Sequence, residues 1–384
     1  MSVFDTLVGQ RPAIERLQRA ARGEGMTHAW LFTGPAGSGR SNAALAFAAA
    51  LQCERGGCGE CHSCVMAAAG SHPDIKRVRT ERLVHRIEDM RDLVLQAALR
   101  PALGRYQVVV VEDADRLARG DDTRTGNSLL KAIEEPAPRT VWLLCAPTEQ
   151  DMLPTIASRC RSIVLTTPSD VEVAGFLTGS LGVSEEVAAY AAHASQGHIG
   201  RARALAFDDD ARRRRREVTA IPARLTDLRA CLLAASNVTE LAKEEIADEL
   251  EQSLTREMES LHALMGDDAK ARSSRAYKAA VKEITDTQKQ RERRRTNDVT
   301  DRCLMDLVSV YRDVIAVQTG STAGPVTDLV NGELEGDVRT LARRTTPESN
   351  LRRIDAIFAA RRQILEFNTA PQLALESLMM GLKV

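Results

Sequence analysis

The feature that most constrains this 384-residue chain is Gly34-Pro35-Ala36-Gly37-Ser38-Gly39-Arg40-Ser41, a glycine-rich run between an apolar stretch and an alanine-rich one. Thr27-His28-Ala29-Trp30-Leu31-Phe32-Thr33 reads as a buried strand, and 42–51 as a helix. A strand, a tight glycine turn and a helix form the arrangement in which backbone N–H groups curl around phosphate at the positive end of a helix. The pattern predicts a wound α/β domain over residues 1–168. Tyr106-Gln107-Val108-Val109-Val110-Val111 supports it, because unbroken valines suit a parallel strand covered on both faces. Thr140–Ala146 and 162–165 are two further strands, with helical stretches between them.

The chemistry of the loop is altered. Gly34, Gly37 and Gly39 supply the turns and Ser41 is placed to ligate magnesium, yet the lysine that reaches the β and γ phosphates is Arg40 here. Arginine keeps the charge but not the compact ammonium. The second strand ends in Glu112-Asp113, where an ATPase has an aspartate for magnesium and then a glutamate that orients water. The order is inverted, and a misplacement of about 1 Å can cost on the order of 100-fold in rate. Two readings stay open at this point: a degenerate site that holds ATP or ADP, with or without Mg, and does not turn over, and an active ATPase.

Cys53, Cys58, Cys61 and Cys64 follow at C-x4-C-x2-C-x2-C spacing. Four thiolates converge on one tetrahedral zinc and leave no open position, so the expected role is structural, with His62 a bystander. Cys145, Cys160, Cys231 and Cys303 are scattered and read as ordinary thiols. This usage fits a reducing, cytoplasmic setting. No apolar run approaches the roughly 18 residues that span a bilayer, and the first nine residues lack the pattern of a secretory leader.

The charge is balanced, with 52 basic against 53 acidic residues, which argues against a uniformly basic polyanion binder. The basic run 212–216 follows Asp208-Asp209-Asp210 and reads as a solvated helix face. Past Pro168 the strands stop. Residues 169–210 read as a small helical domain and 211–384 as helical throughout. Within the latter, 270–295 is expected to be a charged, solvated helix and 320–325 a loop. Leu351, Ile354, Ile357, Phe358, Ile364 and Leu365 recur near helical spacing behind a Thr346-Pro347 cap. Arg159, in Ser158-Arg159-Cys160 after the third strand, is either a surface arginine or an arginine finger supplied in trans.

Taken together, Val8-Gly9-Gln10, the glycine loop, the four cysteines, His72-Pro73-Asp74, Glu112-Asp113, Asn127-Ser128-Leu129-Leu130-Lys131-Ala132-Ile133-Glu134-Glu135-Pro136, Ser158-Arg159-Cys160 and the 368–378 segment resemble a known family. They resemble clamp-loader subunits of bacterial DNA polymerase III, in the AAA+ superfamily, and among these the delta-prime type. The resemblance is dense over the first 205 residues and sparse near the C-terminus. It implies an AAA+ P-loop-type α/β domain carrying a zinc module at about 53–64, a helical lid at 169–210 and a helical collar at 211–384.

It also implies a subunit without ATP turnover of its own, assembled with tau/gamma and delta subunits, helping to load a sliding clamp onto primed DNA. Arg159 would complete the ATP site of a neighbouring tau/gamma subunit. Several departures separate the chain from the ATP-hydrolysing tau/gamma type. They are Arg40, the inverted carboxylates, Gly200 where a lid arginine is expected (with Arg201 one place along), and Ala146-Pro147 where a polar sensor is expected, Thr148 being the nearest substitute. The cysteine module departs too, its first gap being four residues rather than about eight. The alternatives are a tau/gamma-type motor subunit and a zinc-dependent DNA-binding module.

Overall fold

The computed structural model describes all residues except 1, 81, 83, 119–122, 266–273, 321–328 and 384. The chain divides into two compact units, Met1–Phe207 and Asp208–Val384.

The first unit is built on five strands: β1 (Ala29–Thr33), β2 (Ile75–Val78), β3 (Gln107–Val111), β4 (Thr140–Ala146) and β5 (Arg161–Val164). They form one parallel sheet in the order β2-β3-β4-β1-β5. Both faces are covered, which is why the central strands read as continuous apolar runs. On one face Trp30, Phe32, Val108, Val110 and Leu143 pack with Leu17 of helix α1 (Arg11–Ala21) and Phe47 of α2 (Arg40–Gln52). On the other, Leu31, Val109, Trp142 and Leu144 meet Met90 and Leu93 of α4 (Ile87–Ala97) and Leu129 and Ile133 of α5 (Arg124–Glu134). A short α3 (His62–Ala68) lies between α2 and β2.

This is a wound parallel α/β architecture, with one strand more than the sequence pattern predicts. The additional strand is β2. It is four residues long, half of them charged, and it sits at the sheet edge, where charged side chains protect against stray pairing.

His72-Pro73-Asp74 explains how β2 and β3 are set side by side. The buried Asp74 carboxylate accepts backbone N–H bonds from Ala102 (2.6 Å), Leu103 (2.8 Å) and Gly104 (2.6 Å), pinning the loop that enters β3. Burial pushes the Asp74 carboxyl up, but the three N–H bonds outweigh it and hold the group below the ordinary carboxylate range. A depressed pKa means the stabilisation is complete above the unfolded value, about 3.9, and is lost as pH falls through the folded one. Asp74→Ala is expected to lower the unfolding free energy by about 3–5 kcal/mol, from charge-assisted bonds lost and N–H groups orphaned. Chemical denaturation checks this, and an unchanged midpoint would show that the loop is held by other means.

After a short α6 (Pro154–Ala157), α7 (Asp170–Leu181), α8 (Glu185–Ser195) and α9 (Ile199–Phe207) follow the sheet. Ser169 and Glu172 form a reciprocal capping box at the start of α7, and Gly182 ends it in the left-handed conformation.

The second unit is all helical: α10 (Asp209–Thr219), α11 (Ile221–Arg224), α12 (Leu228–Met265), α13 (Arg275–Thr319), α14 (Glu335–Arg344), α15 (Pro347–Leu365) and α16 (Pro371–Leu382). At about 1.5 Å per residue, α12 and α13 are roughly 57 and 68 Å long. They run antiparallel, joined along their length by Arg302 to Glu245, Arg295 to Glu249 and Arg291 to Glu257. Their shared core takes in Val238, Leu241, Leu304, Leu307 and Tyr311, with Ile357 and Ile364 of α15 and Leu375 and Leu378 of α16.

Two expectations need correction here. The run 212–216 is not simply a solvated face: Arg215 is buried, reaching Asp306, Glu333 and the Asn331 amide oxygen, while Arg213 and Arg214 pair with Glu244 and Glu245 of α12. The charged helix begins at Arg275 within the described residues, and its Arg291 and Arg294 are buried. The helix expected behind Thr346-Pro347 forms as α15, with Thr346 capping it and Pro347 in its first turn; Ile357 and Ile364 face the core, while Leu351, Phe358 and Leu365 are exposed. The expected loop at 320–325 lies, apart from Gly320, outside the described residues. Among the described residues no helix is long and apolar enough to cross a membrane.

Candidate functional site

The glycine loop leaves β1 at Thr33 and enters α2 at Arg40. The Gly34 N–H donates to the Pro147 carbonyl at 3.0 Å, tying the loop to the end of β4. At Gly34 a Cβ would stand 2.6 Å from the Leu165 carbonyl, and at Gly37 (φ +81°) only 2.2 Å from Cγ of His198. No side chain fits at either place. The loop is wedged between the exit of β5 and the His198 ring at the start of α9. Gln10 closes it from another side, donating to the Thr166 carbonyl at 2.7 Å and accepting from the Thr166 N–H at 3.1 Å.

Ser38 Oγ and Arg40 Nη1 are buried and have no hydrogen-bond partner among the described residues. Buried polar atoms are rarely left so, and two of them at a phosphate-type loop suit an anionic group. Gly34, Gly37, Gly39, Arg40 and Ser41 are thus residues that could hold the phosphates of a nucleotide.

The acidic strand end is differently occupied. Glu112 is buried and its carboxylate is ion-paired by Arg77 of β2. Asp113 takes a left-handed backbone (φ 50°, ψ 46°), unusual for a non-glycine residue and a place where strain is held by its surroundings. His85 Nε2 lies 3.1 Å from the Glu112 carbonyl and 3.3 Å from that of Asp113. Neither Arg77 nor His85 is among the residues singled out from the sequence. Arg77 becomes visible only once β2 is recognised as the neighbour of β3. Thr148, the nearest substitute for a polar sensor, spends its hydroxyl and its N–H on Asp151 (2.7 and 3.0 Å). Arg201, next to Gly200, donates its backbone N–H to His198 Nδ1 at 3.2 Å.

The four cysteines come together where α2 ends and α3 begins. Cys53 caps α2, Cys61 caps α3 and Cys64 is the buried residue of α3. Their four sulfurs lie within 4.8 Å of one another, with Cys53–Cys58 at 3.6 Å and Cys53–Cys61 at 3.7 Å. A tetrahedral zinc with bonds of about 2.3 Å needs its sulfurs roughly 3.8 Å apart, so the donor set fits that metal. The same spacings rule out a disulfide, and all four thiols are free. The backbone N–H groups of Glu60 and Cys61 bring the Cys58 thiol down to about 6. Burial pushes Cys64 up. His62 is not in the cluster.

Arg159 stands apart from both, after α6. Its guanidinium donates to the Thr155 carbonyl (2.7 Å) and the Ser158 hydroxyl (3.3 Å) and is ion-paired with Glu134. It is 39% exposed, so it is held at the surface rather than buried. The run Asn127–Pro136 therefore serves two purposes: Leu129 and Ile133 fill the core, and Glu134 orients Arg159.

Residues 9–169 match the model of a family described as DNA polymerase III, delta subunit. The delta-prime subunit of DNA polymerase III from Pseudomonas aeruginosa is 40% identical over 139 residues, which is 35% of this chain and 41% of that protein. Over residues 9–169 the chain is therefore similar to DNA polymerase III subunits of the delta and delta-prime kind. The tau/gamma subunit of DNA polymerase III from Haemophilus influenzae is 32% identical over 179 residues, covering 45% of this chain and 25% of its own length. The chain thus spans about two fifths or less of these curated relatives. Among solved structures, a DNA polymerase III gamma-subunit-related protein from Thermotoga maritima aligns over 96% of this chain and 97% of its own, at 15% identity and a TM-score of 0.43.

Proposed function

We propose that this chain is a delta-prime-type stator subunit of a bacterial DNA polymerase III clamp loader, without ATP turnover of its own. In this reading it assembles in the cytoplasm with tau/gamma and delta subunits, helps load the sliding clamp onto primed DNA, and lends Arg159 to the ATP site of a neighbouring subunit. The observation that carries the non-hydrolysing part is the Glu112 carboxylate, buried and neutralised by Arg77 where a catalytic site offers a free carboxylate to magnesium and water. Arg40 in place of lysine, Thr148 tied to Asp151, and His198 against Gly37 point the same way. The loop retains the capacity to hold ATP or ADP, with Ser41 placed for magnesium, and the knuckle of Cys53, Cys58, Cys61 and Cys64 holds a structural zinc.

The test is turnover, alone and in the complex. The isolated chain is expected to hydrolyse ATP negligibly, and Arg40→Lys to restore nothing, because Arg77 still occupies Glu112. Added to tau/gamma, delta, clamp and primed DNA, the chain is expected to raise ATPase and clamp loading. Robust turnover by the chain alone that disappears in Ser41→Ala would instead assign it as a motor subunit.

A further inference from the structure

At the end of β1 opposite the glycine loop lies a cavity of about 240 Å³ lined by Arg16, Arg19, Glu24, Trp30 and Arg161. Three arginines face one glutamate. Elsewhere the arginines of this protein that gather in clusters, such as Arg213, Arg214 and Arg215, are met by carboxylates. Here, among the described residues, none of the three has a carboxylate within ion-pair distance. Arg16 donates to the Ser162 carbonyl at 3.3 Å, and Arg161 to the Gly25 carbonyl. Carbonyl contacts fix direction but leave the charge unbalanced. Three like charges gathered around a hollow to which only Glu24 brings an opposite charge, and that one outside ion-pair distance, are expected to receive a counter-ion from outside.

The pocket is built rather than accidental. Arg161 faces Trp30 in the β1–β5 register, and its guanidinium lies 5.5 Å from the Trp30 ring centroid. Gly25, at φ +70°, makes room for it: a Cβ there would stand 2.8 Å from Arg161 Nη1. Trp30 is itself buried, with Phe47 edge-on at 5.1 Å, so its ring offers no face to an incoming base. Recognition is left to the guanidinium forks.

We infer that this pocket binds a phosphate group. A phosphate presents enough acceptor oxygens for several forks at once, whereas a lone carboxylate saturates one. Two sources share this chemistry: the backbone of a nucleic-acid strand, read without regard to sequence, and a free phosphate-bearing small molecule. The pocket lies at the strand ends away from Gly34–Ser41, so it is a site separate from the nucleotide loop.

The experiment compares the full chain with an Arg16→Gln/Arg19→Gln double variant, whose two side chains lie exposed on α1. Inorganic phosphate binding is read by calorimetry, and a fluorescein-labelled single-stranded oligothymidylate by anisotropy across a salt series. Circular dichroism verifies the fold of the variant. Loss of about tenfold or more in DNA affinity, with a shallower salt slope, identifies a strand backbone as the source. Loss confined to inorganic phosphate identifies a free phosphate-bearing molecule. Unchanged binding of both by the folded variant overturns the inference. So does competition by poly-glutamate as effective as that by phosphate, which would assign the pocket to an acidic protein partner.

Discussion

Arg159→Ala is expected to leave the chain folded and assembled while sharply lowering the ATPase of the complex it joins. The side chain is partly exposed and bonded to Glu134 and the Thr155 carbonyl, so its removal opens no core cavity. A guanidinium aimed at the γ-phosphate of a neighbour stabilises charge that develops during transfer, and such fingers are worth roughly 10³–10⁵ in rate at the site they serve. On the proposed reading only one neighbouring site would lose its finger, so the expected defect of the whole complex is smaller. Arg159→Lys should recover little, because a point charge cannot reproduce the planar fork. Glu134→Ala separates holding from chemistry: it frees the guanidinium without removing it, and should cost far less than Arg159→Ala. Steady-state ATPase and clamp loading in the reconstituted complex decide the matter. Wild-type rates from Arg159→Ala would return the residue to the role of a surface arginine anchoring α6 to α5.

Removing metal from the cysteine knuckle is expected to unfold that module and leave the sheet standing. The seven-residue α3 buries Cys64 and no other residue, so it has almost no apolar core of its own. Structural zinc sites in small modules contribute about 10–16 kcal/mol of apparent binding free energy at neutral pH, and that binding energy is folding energy. The purified protein should carry one zinc per chain. A strong chelator, or Cys64→Ser, should release it and expose 53–68 to proteolysis and rapid hydrogen exchange. The amides of β1, β3 and β4 should stay protected, since their core on both sheet faces is independent of the thiols. Absence of stoichiometric zinc from the native protein, or protection of 53–68 that survives chelation, would show that the cluster is held by packing alone.

What the sequence determined by itself is whatever rests on neighbours along the chain. The β1–loop–α2 unit, the valine strand β3, the helical character of 169–210, and the four converging cysteines all follow from periodicity, capping and spacing within about a dozen residues. The tertiary structure decided what depends on partners distant in sequence. Arg77 neutralises Glu112 from 35 residues away, and Arg215 reaches Glu333 across 118. Five consecutive arginines look alike in sequence; which of them is buried is set by the rotation of α10 and the carboxylates it meets on other helices. The same holds for His198 over Gly37 and Arg161 beside Trp30, where a glycine signals only that something comes close. What approaches is fixed by the fold, because a long-range contact leaves no periodic trace in either of the segments that make it.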